Sequence, residues 1–184
     1  MSDPSDLADF LTLGWQRLTR GVADRRAPAR HPVLATVSPG GYPEARTVVL
    51  RAANRAEGKL EVHTDGGSSK MASLKTLPHA QFHVWDEKPK LQLRISTEVT
   101  MQSGPSVSDR WQDVPDGSRI AYGAAPIPGT PIAHAHAYEK LANKDWFTVL
   151  TCRITTIELM QLSDVHRRAV FSADNDWAGQ WIVP

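Results

Sequence analysis

Between positions 33 and 100 the sequence alternates short apolar strand patterns with turn residues, and this alternation constrains the fold more than any other feature. Runs of about four to eight alternating apolar and polar residues are typical of half-buried β-strands, because successive side chains point to opposite faces of a sheet. Turn residues at 39–41 and 87–89 separate neighbouring strands, as they do in hairpins. The pattern predicts five strands that form a barrel, at 33–38, 45–51, 60–64, 80–85 and 91–100.

Helices and irregular segments flank this region. Asp3-Pro4 is typical of a helix start, and apolar residues then recur at three- and four-residue spacing up to Leu18. The arginine-rich segment 20–32 has two prolines and no apolar period, which predicts a surface loop with solvated charges. The other predicted elements are helices at 68–77 and 105–111, a proline-rich irregular segment at 124–132, and strands at 146–161, 169–171 and 177–183.

Composition restricts the class of protein. A chain of 184 residues fits one domain, and a net charge of +1 gives no long-range field for nucleic acid. The N-terminus lacks a cationic start with an apolar signal core, and no apolar run approaches the ~20 residues of a membrane span, so we expect a cytoplasmic protein. The single cysteine, Cys152, lies in an apolar run and is interpreted as a buried structural thiol.

Three segments within the strand-rich region, 46–51, 63–70 and 91–95, carry cationic and hydrogen-bonding residues. Arg46 and Arg51 bracket an apolar strand, and Gly67-Ser68-Ser69-Lys70 opens a short helix. Helix-end amides and nearby cations both favour an anion, so this pattern indicates a pocket for a phosphorylated ligand. Because Arg46 and Arg51 are an odd number of residues apart, one regular strand would send them to opposite faces.

The order and spacing of these residues resemble the FMN-binding split barrel of the pyridoxamine 5'-phosphate oxidase family. The resemblance begins near 32–38, continues through 46–51, 63–64, 68–70 and 92–94, and ends with Arg168 and the segment 176–184. It implies a mainly β fold with peripheral helices, a single domain over 1–184. Residues 1–31 would be the N-terminal helix and arginine-rich loop, and residues 32–184 the split barrel with helical insertions. It also implies a homodimer with FMN at the subunit interface.

The resemblance assigns roles to individual residues of this chain. The flavin phosphate would be held by Arg46, Ser69 and Lys70. The ribityl chain and ring would be lined by Val48, Val49, Arg51, His63 and Thr64. Gln92 would face the ring, and Arg168 would complete the site from the partner subunit.

Departures from the family pattern affect both flavin and substrate contacts. The family's Ser-Arg-Lys is Ser68-Ser69-Lys70 here, so a hydroxyl replaces one phosphate cation. The late ring-proximal tryptophan falls at Met160, and the Gln-Ser pair falls near Ile127 in the proline-rich segment.

On the substrate side, a Tyr, Arg and Ser that hold the substrate phosphate fall at Arg110, Val114 and Ser118. The family's Arg-x-His pair, which contacts the pyridoxal ring, falls at Asp164-Val165-His166, so the histidine is kept and an aspartate replaces the arginine. The candidate substrate residues are therefore Arg110, Ser118 and His166. The resemblance implies an FMN-dependent oxidoreductase that oxidises pyridoxamine 5'-phosphate poorly.

Alternative interpretations remain open at this point. A flavin-binding or cofactor-free dimer could act as a sensor or carrier, because fold does not fix function. A split barrel that binds haem would need His63, His83 or His166 as the axial ligand. His134-Ala135-His136 with Glu139 and His31 is compatible with a metal site, but the surrounding loop is proline-rich and no further ligand has recognisable spacing, so no metal is predicted.

Overall fold

The computed structural model describes residues 6–184. The described chain forms four α-helices and eleven strands. The helices are α1 (Leu7–Ala23), α2 (Ser69–Thr76), α3 (Ser108–Gln112) and α4 (Asp116–Arg119). The strands are β1 (Val33–Val37), β2 (Pro43–Thr47), β3 (Leu50–Asn54), β4 (Lys59–Asp65), β5 (His79–Asp86), β6 (Leu91–Ser103), β7 (Ala124–Ala125), β8 (Glu139–Lys140), β9 (Phe147–Gln161), β10 (Arg167–Ser172) and β11 (Gly179–Ile182).

Nine strands form one antiparallel sheet. Seven of them follow one another in the order β11-β10-β9-β6-β5-β1-β2, and β4 and β3 branch from β9. The long strand β9 pairs with β6 along its whole length, with β4 in its first half and with β10 in its second half. Strand β3 pairs with β4 and so joins the sheet at this branch. The sheet does not close. The predicted fold class, a mainly β split barrel with peripheral helices, is confirmed.

The strand register separates a buried face of the sheet from a half-exposed one. One row of directly opposed residues runs through Leu34, Phe82, Ile95, Ile157 and Phe171, each at most 1% exposed. Helix α1 supplies further apolar side chains to the same core. Opposed residues of antiparallel strands share a face, so the alternate residues of β6 and β9 lie on the other, half-exposed face. We call that face the outer face.

Three local predictions need correction. The predicted strand 45–51 is two strands, because the chain leaves β2 after Thr47 and starts β3 at Leu50, while the Val48 N–H donates to the Pro32 carbonyl. The argument that placed Arg46 and Arg51 on opposite faces of one strand therefore does not apply. The Arg30 guanidinium in the predicted solvated loop instead donates to the carbonyls of Val22 and Leu50.

The start of α1 also differs from the prediction. Asp3-Pro4 lies outside the described residues. The helix begins at Leu7, and the carboxylate of Asp6 accepts a hydrogen bond from the Asp9 N–H at 2.7 Å. Asp6 is thus the N-cap of α1, three residues after the predicted cap Asp3.

Candidate functional site

Lys70, in the first turn of α2, lies among hydroxyl groups. Its ammonium donates to Thr64 Oγ1 at 2.8 Å and to Ser68 Oγ at 2.9 Å. Thr64 is the buried penultimate residue of β4, so the turn 66–68 brings the start of α2 back over the end of that strand. Ser68 occupies the cap position, but its hydroxyl donates to the Asp65 carbonyl instead of capping the helix. The hydrogen-bond partners of this half-buried cation are thus neutral oxygens.

Arg46 lies on β2 near the same helix. Its guanidinium donates to Thr36 Oγ1 at 2.7 Å and to the Glu44 carboxylate at 2.9 Å, and Ser73 of α2 donates to the same carboxylate. Burial, together with the nearby Arg46 charge, lowers the pKa of Lys70, and the Asp65 carboxylate acts in the opposite direction. We call Arg46, Thr64, Ser68 and Lys70 the cationic cluster. A buried cation beside a second cation makes a favourable setting for an anion.

Ser69, the predicted third phosphate ligand, is exposed at the edge of this cluster. The donor chemistry fits a phosphate group: an ammonium, a guanidinium and several hydroxyls converge at the start of a helix. That Arg46, Ser69 and Lys70 hold a phosphate stays a prediction.

Asp65 joins the cluster to a distant loop. One carboxylate oxygen accepts from the Gly67 N–H at 2.7 Å, and the other accepts from the Gly123 N–H at 2.6 Å. Gly123 begins the proline-rich excursion, which returns at Asn143, whose N–H donates to the Tyr122 carbonyl. The buried Asp65 therefore holds both the turn before α2 and the base of the excursion. Sequence reasoning missed this residue, although Asp65-Gly66-Gly67 marks a turn.

The residues predicted to line the ribityl chain and ring lie at the ends of β2, β3 and β4. Val48 is buried and Val49 half-buried at the break between β2 and β3. Arg51, the second residue of β3, lies near Tyr122, and its positive charge opposes the rise in the Tyr122 pKa that burial causes.

His63 lies next to Thr64 near the end of β4 and contacts an aromatic cluster that includes Phe147. Its Nε2 lies 2.8 Å from the Glu61 carboxylate, and its ring meets the Phe147 ring edge-on at a centroid distance of 4.9 Å. The hydrogen bond to His63, assisted by Arg110, lowers the pKa of Glu61 although burial opposes it. The hydrogen bond to Glu61 and the edge-on contact with Phe147 hold the His63 ring in place. Its side chain is therefore oriented before any ligand arrives.

Gln92 and Arg168 lie in one cross-strand row on the outer face. Gln92 opposes Met160, and Met160 opposes Arg168, across β6, β9 and β10. The row extends to Trp85 on one side and to Ile182 on the other. We call these five residues the outer row. Met160 is the position where the resemblance places the family's tryptophan, and here it lies between the two predicted ring contacts.

Polar contacts fix the two polar members of this row. The Gln92 amide oxygen lies 3.2 Å from His83 Nε2, and the Arg168 guanidinium donates to the Glu158 carboxylate at 3.0 Å. Glu158 also accepts from Arg94 at 3.2 Å. Sequence reasoning missed Glu158, because its partners come from the two neighbouring strands β6 and β10 and only the register reveals them.

The predicted substrate residues are not brought together. Arg110 lies 3.7 Å from the Glu61 carboxylate, and His166 lies exposed in the β9–β10 turn with Nδ1 2.7 Å from the Ser163 carbonyl. Within residues 6–184, no hydrogen bond or ion pair joins Arg110, Ser118 and His166. Val114, where the family has an arginine, is buried with Tyr122, Phe147 and Trp111.

Two cavities of the chain lie away from the cationic cluster and the outer row. One of about 680 Å³ lies between the end of α1 and the β5–β6 turn, and one of about 550 Å³ lies on the outer face beside Glu61 and Arg110. Neither is lined by Arg46, Lys70, Gln92 or Arg168.

The described part of the chain contains neither a metal-binding cluster nor a membrane-spanning helix. Residues 6–184 contain no group of three or more His, Cys, Asp and Glu side chains that could hold a metal ion. No helix in the same range is long and apolar enough to span a membrane.

Comparison with known sequences gives a family. Residues 13–103 match the family described as "Pyridoxamine 5'-phosphate oxidase, FMN-binding domain". A curated relative, the pyridoxine/pyridoxamine 5'-phosphate oxidase of Mycolicibacterium paratuberculosis, is 29% identical over 140 residues, which are 73% of this chain and 62% of the relative. The chain thus spans about three fifths of that relative. The matched segment contains both the cationic cluster and Gln92.

Solved structures show the same fold over the whole chain. A pyridoxamine 5'-phosphate oxidase-related, FMN-binding protein from Nostoc punctiforme has a TM-score of 0.79 at 23% identity, with 100% of both chains covered. PhzG from Burkholderia lata, solved with tetrahydrophenazine-1-carboxylic acid, has a TM-score of 0.73 at 18% identity, with 100% of this chain and 95% of that chain covered. At these identities the likeness establishes the fold.

Proposed function

The chain belongs to the pyridoxamine 5'-phosphate oxidase-like family of FMN-binding split barrels, and on that premise we propose that it is an FMN-dependent oxidoreductase that acts as a homodimer. The observation that carries the proposal is the environment of Lys70, a half-buried ammonium whose hydrogen bonds within residues 6–184 go to the hydroxyls of Thr64 and Ser68. A buried cation without a carboxylate in direct contact is costly unless an anion joins it. The FMN phosphate is that anion in our proposal.

The protein binds and orients the cofactor in this proposal. Lys70, Arg46 and Ser69 hold the phosphate, while Val48, Val49, Arg51, His63 and Thr64 lie along the path from the phosphate to the ring. Bound FMN supplies the capacity to accept a hydride from a substrate, and the protein supplies position and electrostatics. No side chain of the cluster has to act as an acid or base.

Two copies of the chain are needed because the two halves of the site face opposite sides of one sheet. Arg46 opposes Leu34 in the buried row that contains Ile95. Gln92 is three residues from Ile95 on β6, and an odd separation places it on the outer face with Arg168. We propose that the outer row of one subunit covers the FMN held by the cationic cluster of its partner. Closed two-fold symmetry is also the commonest form of oligomer.

The substrate is a molecule other than pyridoxamine 5'-phosphate in this proposal. Arg110 is paired with Glu61, Val114 is buried among aromatic rings, and Asp164 puts a carboxylate where the family has an arginine. A second phosphate therefore lacks the donors that the oxidase provides.

A visible spectrum of the purified protein, followed by titration of the apo form with FMN, tests the proposal. We expect the two absorption bands of oxidised flavin and one FMN per chain. A Soret band would show that the split barrel holds haem, and substitution of His63, His83 and His166 in turn would then identify the axial ligand. A protein that remains colourless and binds no FMN at high micromolar concentration would instead be the cofactor-free dimer of the alternative interpretation.

A further inference from the structure

Glu158 lies between two arginines on the outer face, one row from Gln92. Its Oε1 accepts from Arg94 Nη1 at 3.2 Å and its Oε2 accepts from Arg168 Nη2 at 3.0 Å. The three side chains come from β6, β9 and β10, and the register places Glu158 directly opposite Arg94. The Glu158 side chain is 17% exposed, so the carboxylate is mostly screened from water.

Without this carboxylate, Arg94 and Arg168 would be like charges held close together. Two guanidinium groups that reach one carboxylate repel each other when the carboxylate is neutral, and a partly buried setting screens that repulsion poorly. A long arginine side chain also has many rotamers, so its direction depends on the partner that fixes it. Arg168 Nη1 also donates to the Val183 carbonyl, but at 3.5 Å, compared with 3.0 Å for the bond from Arg168 Nη2 to Glu158. Glu158 is therefore the partner that mainly sets where the Arg168 guanidinium points.

We propose that Glu158 is the positioning residue of the flavin site: it orients Arg168 toward the FMN bound by the partner subunit and limits the charge of this group of three side chains to +1. This inference rests on the proposed function. Glu158 does not contact the flavin in this proposal. It acts on the flavin by orienting Arg168 and by lowering the positive charge near the ring. Positive charge near a flavin ring favours the reduced form and raises its midpoint potential.

Two substitutions separate orientation from charge. In Glu158→Gln the single amide oxygen can hold one arginine, while the amide NH₂ opposes the other, and the net charge of the group rises to +2. We expect FMN binding to weaken about tenfold, since one charged hydrogen bond is removed, and the flavin midpoint potential to rise. Glu158→Asp keeps the charge but shortens the side chain. We expect it to weaken FMN binding while leaving the midpoint potential near that of the wild type.

The matched control is Glu98→Gln. Glu98 and Arg153 form a 2.6 Å ion pair on the same face and the same two strands, away from the outer row. This control should leave FMN affinity and midpoint potential unchanged. Thermal unfolding of each apo variant establishes that it is folded.

The experiment measures FMN dissociation constants and midpoint potentials for wild type, Glu158→Gln, Glu158→Asp, Glu98→Gln and Arg168→Gln. If Arg168→Gln weakens FMN binding while Glu158→Gln leaves affinity and potential as in the wild type, the inference is overturned. It is also overturned if Glu158→Asp raises the potential as much as Glu158→Gln. A wild-type protein that binds no FMN would instead reject the proposed function on which the inference rests.

Discussion

Arg46 and Gln92 lie on opposite faces of the same sheet. Arg46 faces the core side with Leu34, and Gln92 lies on the outer face beside Met160 and Arg168. A flat cofactor cannot contact both residues of one chain while it lies on one face of the sheet. The relationship supports the proposed homodimer, since a second copy can bring the outer row of one subunit to the cationic cluster of the other.

Lys70→Ala should weaken FMN binding by about 1.5 to 3 kcal/mol, the range for a hydrogen bond to a charged group. Lys75→Ala is the matched control, because Lys75 is exposed in the last turn of the same helix. Isothermal titration of both apo variants with FMN provides the comparison. Equal affinities for Lys70→Ala and the wild type would remove Lys70 from the site.

The same variant should not lose stability in its apo form. Because burial lowers the Lys70 pKa, the unfolded chain binds more protons than the folded one between that lowered pKa and the ordinary value of 10.5. The folded apo protein therefore gains stability as pH rises through this window, and the charged lysine opposes folding below it. We expect apo Lys70→Ala to unfold at the wild-type temperature or above it, and FMN affinity of the wild type to fall as Lys70 loses its proton.

Asp65→Asn should destabilise the protein by roughly 1 to 3 kcal/mol, the cost of leaving a buried donor unpaired. The asparagine oxygen can accept from Gly67 or from Gly123, while its NH₂ group faces the other N–H. Chemical denaturation measures the loss, and hydrogen exchange should accelerate both in the turn before α2 and in residues 123–143. Asp116→Asn, at an exposed carboxylate, should change neither. Faster exchange confined to the turn would show that Asp65 does not hold the excursion.

The thiol of Cys152 should be unreactive in the folded protein. Burial raises its pKa to about 12, and the Glu61 carboxylate adds to this shift. At pH 8 roughly one thiol in ten thousand is then ionised, and the thiolate is the reactive form. Treatment with an aromatic disulfide reagent should give no colour until guanidinium unfolds the chain. Full reaction of the native protein within minutes would contradict the burial of this residue.

Flavin-loaded protein should oxidise pyridoxamine 5'-phosphate about a thousandfold less efficiently than an authentic oxidase. Positions 114 and 164 lack the cationic side chains of the oxidase, and each loss costs on the order of 2 kcal/mol of transition-state stabilisation. The two losses together reduce kcat/KM about a thousandfold. Oxygen-dependent formation of pyridoxal 5'-phosphate is the assay. Turnover within tenfold of the authentic enzyme would mean that another group, for example Arg110 released from Glu61, holds the substrate phosphate.

The sequence predicted the strands that alternate apolar and polar residues, because burial of one face requires that alternation. It did not predict the break at Val48-Val49, since apolar residues on both sides of the break look like one continuous strand. Strands β7 and β8 have two residues each and are too short to show a period. Glu158 could not be recognised as a partner of Arg94 and Arg168, because residues 64 and 10 positions away meet only through the register of three strands.

Sedimentation of the protein with FMN, detected at the flavin absorbance, tests most directly whether the flavin site is shared between two subunits. One FMN per chain should sediment with a dimer. Met160→Lys, which puts a charge in the centre of the outer row, should give a monomer that has lost most of its flavin. Gln16→Lys, on the exposed side of α1, should behave like the wild type. Flavin that sediments with a monomer, or a Met160→Lys dimer with full flavin content, would contradict a site shared between subunits.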